Sequence, residues 1–195
     1  DVSGNGVSAA FYMSEVKGIF QALSRMYTSP KEFMLKANEA LAGSFDRRSF
    51  ISLIYAIVDV NTGQVQVARA GHCPLLLVSQ RQGRYIRPTG IGMGLGDGIV
   101  FASSIEEERI HLREGDVCVF YTDGVTEARR ADDEFGYDRL MQAVVDSAHR
   151  SAPEIKQHVL NTIESFTDEE ASHDDLTLVV LKWRGHGTAH KVDVS

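Results

Sequence analysis

The spacing of the apolar residues changes twice along this chain, and that change constrains the fold more than any other feature. From Val7 to Tyr27 the residues Ala9, Met13, Val16, Ile19, Phe20, Leu23 and Tyr27 recur three and four apart, the stripe of an amphipathic helix. Ser29-Pro30-Lys31-Glu32 predicts a second helix running to Leu41, with Ser29 as N-cap, Pro30 at the first helical position and Glu32 completing a capping box. From Phe50 to Val60 the chain turns β-branched and aromatic, and Asn61-Thr62-Gly63 marks a turn into Gln64 to Ala70, which predicts a hairpin. Short apolar runs at Leu75 to Val78, Ile99 to Ser103, Glu107 to Leu112 and Val117 to Tyr121 follow, separated by Gly, Pro and Asp clusters as antiparallel strands are. Helical spacing returns near Tyr137 to Ser147 and Pro153 to Phe166, the second opened by the box Ser151 to Glu154. Leu176 to Lys182 predicts a last strand, whose weak alternation suits a central position.

Helices, then strands, then helices and one more strand predict an α+β fold with antiparallel sheets and helices packed outside. With 195 residues, 43% of them hydrophobic and 24% charged, the chain can bury a sizeable core, and one domain is expected over residues 1–183. Residues 184–195 lack apolar periodicity and are expected to form a flexible tail.

A formal net charge of -7, with Lys and Arg scattered rather than clustered, argues against a nucleic-acid or anionic-membrane partner. The two cysteines, Cys73 and Cys118, sit in apolar runs with no metal-ligand spacing, so zinc and disulfide frameworks are not expected and a reducing cytoplasm is. No apolar run approaches the roughly 20 residues that span a bilayer.

Three acidic residues stand beside chain-bending glycines or at strand ends: Asp1 in Asp-Val-Ser-Gly-Asn-Gly, Asp123 in Tyr-Thr-Asp-Gly-Val-Thr-Glu-Ala, and Asp174 in His-Asp-Asp-Leu-Thr. Carboxylates held on a rigid sheet and opened to solvent suit hard cations such as Mg²⁺ and Mn²⁺. Two such ions about 4 Å apart can clamp a phosphoryl oxygen and lower the pKa of a shared water. Taken singly, each Asp reads better as a turn or cap residue. The three together, with their flanking motifs, reverse that preference.

Those motifs, DVSGNGVSAAF, FISLIYAIVD, AGHCPLLLV, GIGMGLG, LREGDVCVFYTDGVTEA and HDDLTLVVL, run in order from Asp1 to Lys182. The chain resembles the PPM-type metal-dependent serine/threonine phosphatases, specifically the bacterial SpoIIE/RsbU branch. The resemblance implies a β-sandwich flanked by helices, a binuclear Mn²⁺ or Mg²⁺ centre and direct attack of water on phosphoserine or phosphothreonine, without a phospho-enzyme. It makes Asp1, Asp123 and Asp174 the catalytic carboxylates. Asp1 is then the bridging ligand, the Val2 carbonyl accompanies it, Asp123 and Asp174 bind one metal, and Asp175 orients water or a neighbouring ligand. Where the family reads Gly-His-Gly this chain has Gly4-Asn5-Gly6, and Asn tolerates the same loop conformation. The family also carries an earlier Gly-Gly-Asp-like motif on a first strand pair, absent before Asp1. An N-terminally truncated domain is therefore expected, holding two ions when intact and one or none as it stands.

Other residues carry less. His72 in Ala-Gly-His-Cys-Pro is read as a turn histidine rather than a phosphate contact, and Cys73 as packing. The Gly90 to Gly96 run fits neither phosphate-loop template and is read as a loop approaching the site rim. Asp132, Asp133 and Glu134 are read as a solvated turn.

The function expected from the resemblance is a protein phosphatase acting on an anti-anti-sigma (STAS-type) regulator in a bacterial partner-switching pathway. An upstream sensor or receiver domain is expected, and a homodimer is left open. The competing reading is a catalytically weak, phosphatase-like adaptor that binds a regulatory protein. Such relatives lose metal-site acids, and this chain keeps three. A hydrolase of small phosphorylated molecules has no specific support. The resemblance also suggests that the first two helices act as a switch on metal occupancy. In that case Met13, Phe20 and Leu23 pack on the sheet, and a residue such as Phe11, Tyr12 or Ile19 is left facing another chain or domain.

Overall fold

The computed structural model describes residue 2 and residues 7–44, 49–167, 175–185 and 192–194. In chain order its elements are α1 (Val7–Leu23), α2 (Pro30–Leu41), β1 (Leu53–Val58), β2 (Gln64–Ala70), β3 (Leu75–Ser79), β4 (Gln82–Ile86), α3 (Gly98–Ser104), β5 (Glu107–His111), β6 (Val117–Tyr121), α4 (Asp123–Thr126), β7 (Arg129–Arg130), β8 (Asp133–Glu134), α5 (Gly136–Ser147), α6 (Ala152–Thr167), β9 (Leu178–Trp183) and β10 (Val192–Val194). This is the expected α+β content, with antiparallel strand pairs throughout the named ladders. No helix among the described residues is long and apolar enough to cross a membrane. Chain contacts divide the elements into two compact units.

The first unit comprises Asp1–Val58, Val65–His72 and Arg87–Ile110. Its sheet has the order β1-β2-β5, and β1 meets β2 in the hairpin register expected, with Val58 opposite Val65. Phe33, Met34, Ala37 and Leu41 of α2 bury one helical stripe against Ile51, Ala68, Ala70, Met93 and Phe101. The Ser29 hydroxyl accepts the Glu32 amide at 3.2 Å, as an N-cap should, and itself donates to Glu107 Oε2 at 2.6 Å. The cap thereby ties α2 to the start of β5 as well as satisfying its own helix. On α1 the residues Tyr12, Val16, Ile19 and Leu23 pack against this core. Phe11 is 72% exposed and Met13 50%. Of the residues expected to face outward, Tyr12 and Ile19 therefore pack and Phe11 does not. Phe20 keeps 45% exposure while setting its ring edge-on to Phe33 and Tyr55.

The second unit comprises Asp59–Gln64, Cys73–Ile86 and His111–Ser195. Its sheet has the order β10-β9-β6-β3-β4, so β9 lies inside the sheet as its weak alternation predicts. Alternate residues Leu76 and Val78 of β3, Val117, Val119 and Tyr121 of β6 and Val180 of β9 meet the stripes of α5 (Leu140, Ala143, Val144) and α6 (Ile155, Val159, Ile163). Period 2 on the strands and period 3.6 on the helices bury a common core, each side chain contributing about 1.5–3 kcal/mol when fully withdrawn from water. Lys182 Nζ donates to the Ala148 carbonyl at 2.8 Å and to the Arg150 carbonyl, covering orphan acceptors at the end of α5.

Three readings of the sequence need correction. Ile99 to Ser103 is helical rather than a strand, because Asp97 caps α3 by accepting the Ile99 and Val100 amides at 3.0 and 2.9 Å. The β-branched residues there stay outside, with Ile99 81% exposed. β4 was not expected: its two-residue turn, Gln80-Arg81, holds both residues at positive φ (51° and 63°), a conformation normally signalled by Asn or Gly. Val192–Val194, inside the expected tail, pairs with β9, Val192 opposite Trp183. Asp132, Asp133 and Glu134 form the exposed turn expected of them, at the tip of the small β7–β8 hairpin, where Asp133 binds Arg139 at 2.8 Å and Glu134 binds Arg129.

The backbone makes its tightest approach where Gly90 faces β2. A Cβ built on Gly90 would overlap the Arg69 carbonyl oxygen, while one on Gly98 meets nothing within 4 Å. Gly90→Ala is expected to cost about 3 kcal/mol in urea unfolding, as overpacking against a fixed carbonyl does. Gly98→Ala, inside α3, is expected to be neutral or stabilising; equal stability of the two variants would contradict this packing. At the start of α6 the Ser151 hydroxyl and amide both donate to Glu154 Oε2, the amide at 3.0 Å, and hold that carboxyl below its ordinary value. A depressed pKa contributes stability above the unfolded value, about 4.3, and loses it as pH falls through the folded one. Glu154→Gln should therefore lower the thermal midpoint at pH 7 by an amount that shrinks as pH falls below the unfolded value. A deficit independent of pH would exclude the charge as its source.

Candidate functional site

β6 carries the chain from the core to Asp123. Val117, Val119 and Tyr121 are buried on its inner face, after which Thr122 and Asp123 emerge half-buried. The chain then tightens into α4, where Asp123 O accepts the Glu127 amide at 2.7 Å and the Thr126 hydroxyl at 3.2 Å. Val125 of that turn is fully buried in the core, which pins the turn and directs Asp123 away from it. Asp123 Oδ1 accepts the Gly124 amide at 3.0 Å. No other hydrogen bond reaches this carboxylate among the described residues, leaving oxygen lone pairs of the kind a hard divalent cation takes.

Thr122 stands at the N-cap position of α4, yet its side chain makes no bond to that helix. Its hydroxyl donates instead to the Asp175 carbonyl at 3.1 Å and accepts the Thr177 amide at 2.9 Å, and the Thr122 amide donates to the Thr177 carbonyl at 3.2 Å. The Tyr-Thr-Asp-Gly turn and the Asp-Leu-Thr segment entering β9, 53 residues apart at this bond, are thus joined side by side. Asp175 itself is exposed. Asp1 and Asp174, together with Gly4, Asn5 and Gly6, lie outside the described residues.

Val2 and His72 belong to the first unit. Val2 forms an antiparallel bridge with Ile51, which in turn exchanges both backbone hydrogen bonds with Met93, at 3.0 and 2.9 Å. Ser52 Oγ lies 2.8 Å from His72 Nδ1, and the His72 carbonyl accepts Arg69 Nη1 at 2.7 Å. His72 is accordingly built into the turn after β2, the structural role read from its sequence context. The Gly90 to Gly96 loop spends its amides within the fold: Ile91 N on Ser104 Oγ, Met93 N on Ile51 O, and Gly94 N on Asn38 Oδ1 at 3.1 Å. Those donors are occupied and do not form a phosphate cradle. Among the described residues no three His, Cys, Asp or Glu side chains converge as a metal-binding group, two of the three acidic candidates lying outside them.

Two features of this region have no signal in the sequence pattern. One is the Thr122 hydroxyl bridge. The other is Phe166 at the end of α6, whose ring lies under both Arg130, 4.9 Å from its centroid, and Arg139, 4.7 Å. A Thr before Asp-Gly reads as a cap, and arginines beside acids read as a solvated turn.

The sequence profile of the Stage II sporulation protein E (SpoIIE) family matches residues 1–184. The phosphoserine phosphatase RsbU of Bacillus subtilis (strain 168) is 27% identical over 184 residues, 93% of this chain and 53% of RsbU. The chain thus spans about half the length of that relative. Among solved structures, the SiaA-PP2C domain of Pseudomonas aeruginosa matches with a TM-score of 0.81 at 19% identity, over 94% of this chain and 73% of that one. The RsbU and RsbW domains of Rv1364c from Mycobacterium tuberculosis match with a TM-score of 0.75 at 26% identity, over 94% and 50%. The phosphatase domain of the cell fate determinant SpoIIE from Bacillus subtilis, presoaked with Mn, matches with a TM-score of 0.61 at 16% identity, over 96% and 80%. The fold is therefore that of PP2C phosphatase domains.

Neither cysteine offers a rival nucleophile. Cys73 packs against the core of the second unit, and burial, with Asp116 nearby, pushes the Cys118 thiol up to about 12. Cys118 should resist iodoacetamide in the native protein at pH 8 and react only after unfolding, as peptide mass analysis can read. Alkylation of Cys118 at the rate of a free thiol would show that β6 opens.

Proposed function

The chain belongs to the Stage II sporulation protein E (SpoIIE) family, and we propose that residues 1–183 form a metal-dependent phosphatase domain that hydrolyses phosphoserine or phosphothreonine on a protein. The observation that carries this reading is the union of the Asp123 turn with the segment entering β9. It supports a site in which an open carboxylate at the end of one central strand stands beside the acid-rich entry of the next.

The donor chemistry at Asp123 fits a hard divalent cation, and Mn²⁺ or Mg²⁺ would be held by Asp1, the Val2 carbonyl, Asp123 and Asp174. Bound there, such ions neutralise phosphoryl charge and lower the pKa of water. The chain's own residues do the positioning: buried Val125 anchors the turn, Gly124 N orients one Asp123 oxygen, and Ile51 holds Val2 by backbone pairing. The substrate we assign is a phosphorylated STAS-type regulator in a partner-switching pathway. Support for it comes from the likeness to RsbU, itself a phosphoserine phosphatase, and to a protein that carries both RsbU and RsbW domains.

In the full-length protein, hydrolysis of a phosphoserine protein or a chromogenic phosphate ester should require Mn²⁺ or Mg²⁺. Undiminished turnover in excess EDTA overturns the reading. Asp123→Asn and Asp174→Asn should each lower turnover more than about tenfold at fixed metal, since even outer partners of metal ligands carry that much. Near-normal turnover at saturating metal in either variant removes that residue from the ligand set.

A further inference from the structure

At the end of the five-stranded sheet remote from Asp123, a cavity of about 280 Å³ opens between the β3–β4 turn, the end of α5 and the entry to β6. Strand register fixes its place: Val78 stands opposite Val117 and Val117 opposite Lys182, whereas Asp123 follows the other end of β6, beyond Tyr121. Val78, Val145 and Ala148 give the cavity an apolar wall that belongs to the core of the second unit. Arg81, His149 and Lys182 line it as basic groups, with Glu114 as its one carboxylate. Lys182 Nζ is committed to the Ala148 and Arg150 carbonyls, so it cancels the partial negative charge at the end of α5 that would otherwise repel an anion. Arg81 is exposed, and among the described residues no hydrogen bond or ion pair engages its guanidinium. The backbone beneath it is strained. Gln80 and Arg81, both lining the cavity, hold φ at 51° and 63°, a left-handed conformation that ordinarily falls to Asn and Gly in a two-residue hairpin turn. A turn that keeps a long cationic side chain where glycine would sit without strain is the kind of local cost that binding sites retain.

We propose that this cavity binds a small monoanionic carboxylate with an apolar body. The Arg81 guanidinium offers a planar fork of donors that matches two carboxylate oxygens at once. The wall of Val78, Val145 and Ala148 withdraws the ligand's body from water. Charge selects the monoanion: counting histidine as neutral, Arg81 and Lys182 against Glu114 leave a single positive charge. A dianion would keep uncompensated charge beside Glu114, and burying such charge is costly. Ligand sites run upward from about 300 Å³, so this one suits a compact molecule rather than a nucleotide. The proposal stands apart from the phosphatase reading, since no lining residue belongs to the Asp123 turn or to the residues assigned to metal.

The test is methyl NMR of the full-length, metal-free protein labelled at valine, titrated with benzoate and, as the same body without charge, with benzyl alcohol. Benzoate should shift the Val78 and Val145 methyl signals saturably while Val125, in the turn after Asp123, stays in place. Benzyl alcohol should bind more weakly by about tenfold or more, the loss expected when a charge-assisted pair is removed. Absence of a saturable shift at Val78 and Val145 overturns the proposal. Equal binding of the alcohol also overturns it, because the hollow is then merely apolar. Arg81→Gln removes the charge from an exposed side chain and keeps the turn, and it should weaken benzoate by about tenfold or more. Arg81→Gly should lose benzoate to the same extent while melting at a higher temperature, since glycine adopts the left-handed conformation freely. Wild-type benzoate affinity in either variant overturns the proposal.

Discussion

The antiparallel pairing of β6 with β9 is the constraint on which the candidate site depends. Its register sets Val117 opposite Lys182 and Tyr121 opposite Leu178, so the exit of one strand meets the entry of the other at the same end of the sheet. Two segments distant in sequence are therefore neighbours because of strand direction alone, before any side chain is considered. A parallel arrangement would send them to opposite ends. The side chains then refine what the ladder imposes: buried Val119, Tyr121 and Val180 hold the strands to the helical layer, and Thr122 continues the pairing one step past the last ladder residue.

Helix packing in the second unit serves the same end. α6 presents Ile155, Val159, Ile163 and Phe166 along one stripe, and the last of these does more than bury area. It receives two arginines from the segment that follows α4, where Arg130 and Arg139 would otherwise be ordinary surface charges. Exposed ion pairs contribute little by themselves. The Asp133–Arg139 pair matters through geometry, because it fixes the guanidinium that covers the ring. In the first unit the comparable role falls to backbone: Ile51 is paired on both sides, to Val2 and to Met93, and the glycine-rich loop consumes its own amides to stay in place.

Legibility in the sequence followed how local the cause was. α2 and α6 could be read with their caps because Ser29, Pro30, Ser151 and Glu154 act within one helical turn. The β1–β2 hairpin could be read because Asn61-Thr62-Gly63 supplies its turn chemistry on the spot. β4 could not, since Gln80 and Arg81 adopt left-handed conformations that only the pairing of β3 with β4 sustains. Ile99 to Ser103 looked like a strand by residue type, and one carboxylate, Asp97, decided for a helix. β10 is too short for three residues of alternation to register as a pattern. On α1 the apolar residues run most of the way round the helix, so spacing alone could not separate Tyr12 and Ile19, which pack, from Phe11, which does not.

What the sequence by itself determined was the α+β class, the capped helices, the β1–β2 hairpin and the motifs, including Asp123 in its turn, because each is written in local spacing and turn chemistry. What only the tertiary structure decided was adjacency. The Thr122 hydroxyl chose β9 over its own helix, Ser29 reached Glu107, and Phe166 gathered two arginines, each partner having been brought near by strand register or helix packing. A hydrogen bond or cation–π contact acts over a few ångströms, whereas the residues that make it are chosen by the whole path of the chain between them, and no local pattern encodes that path.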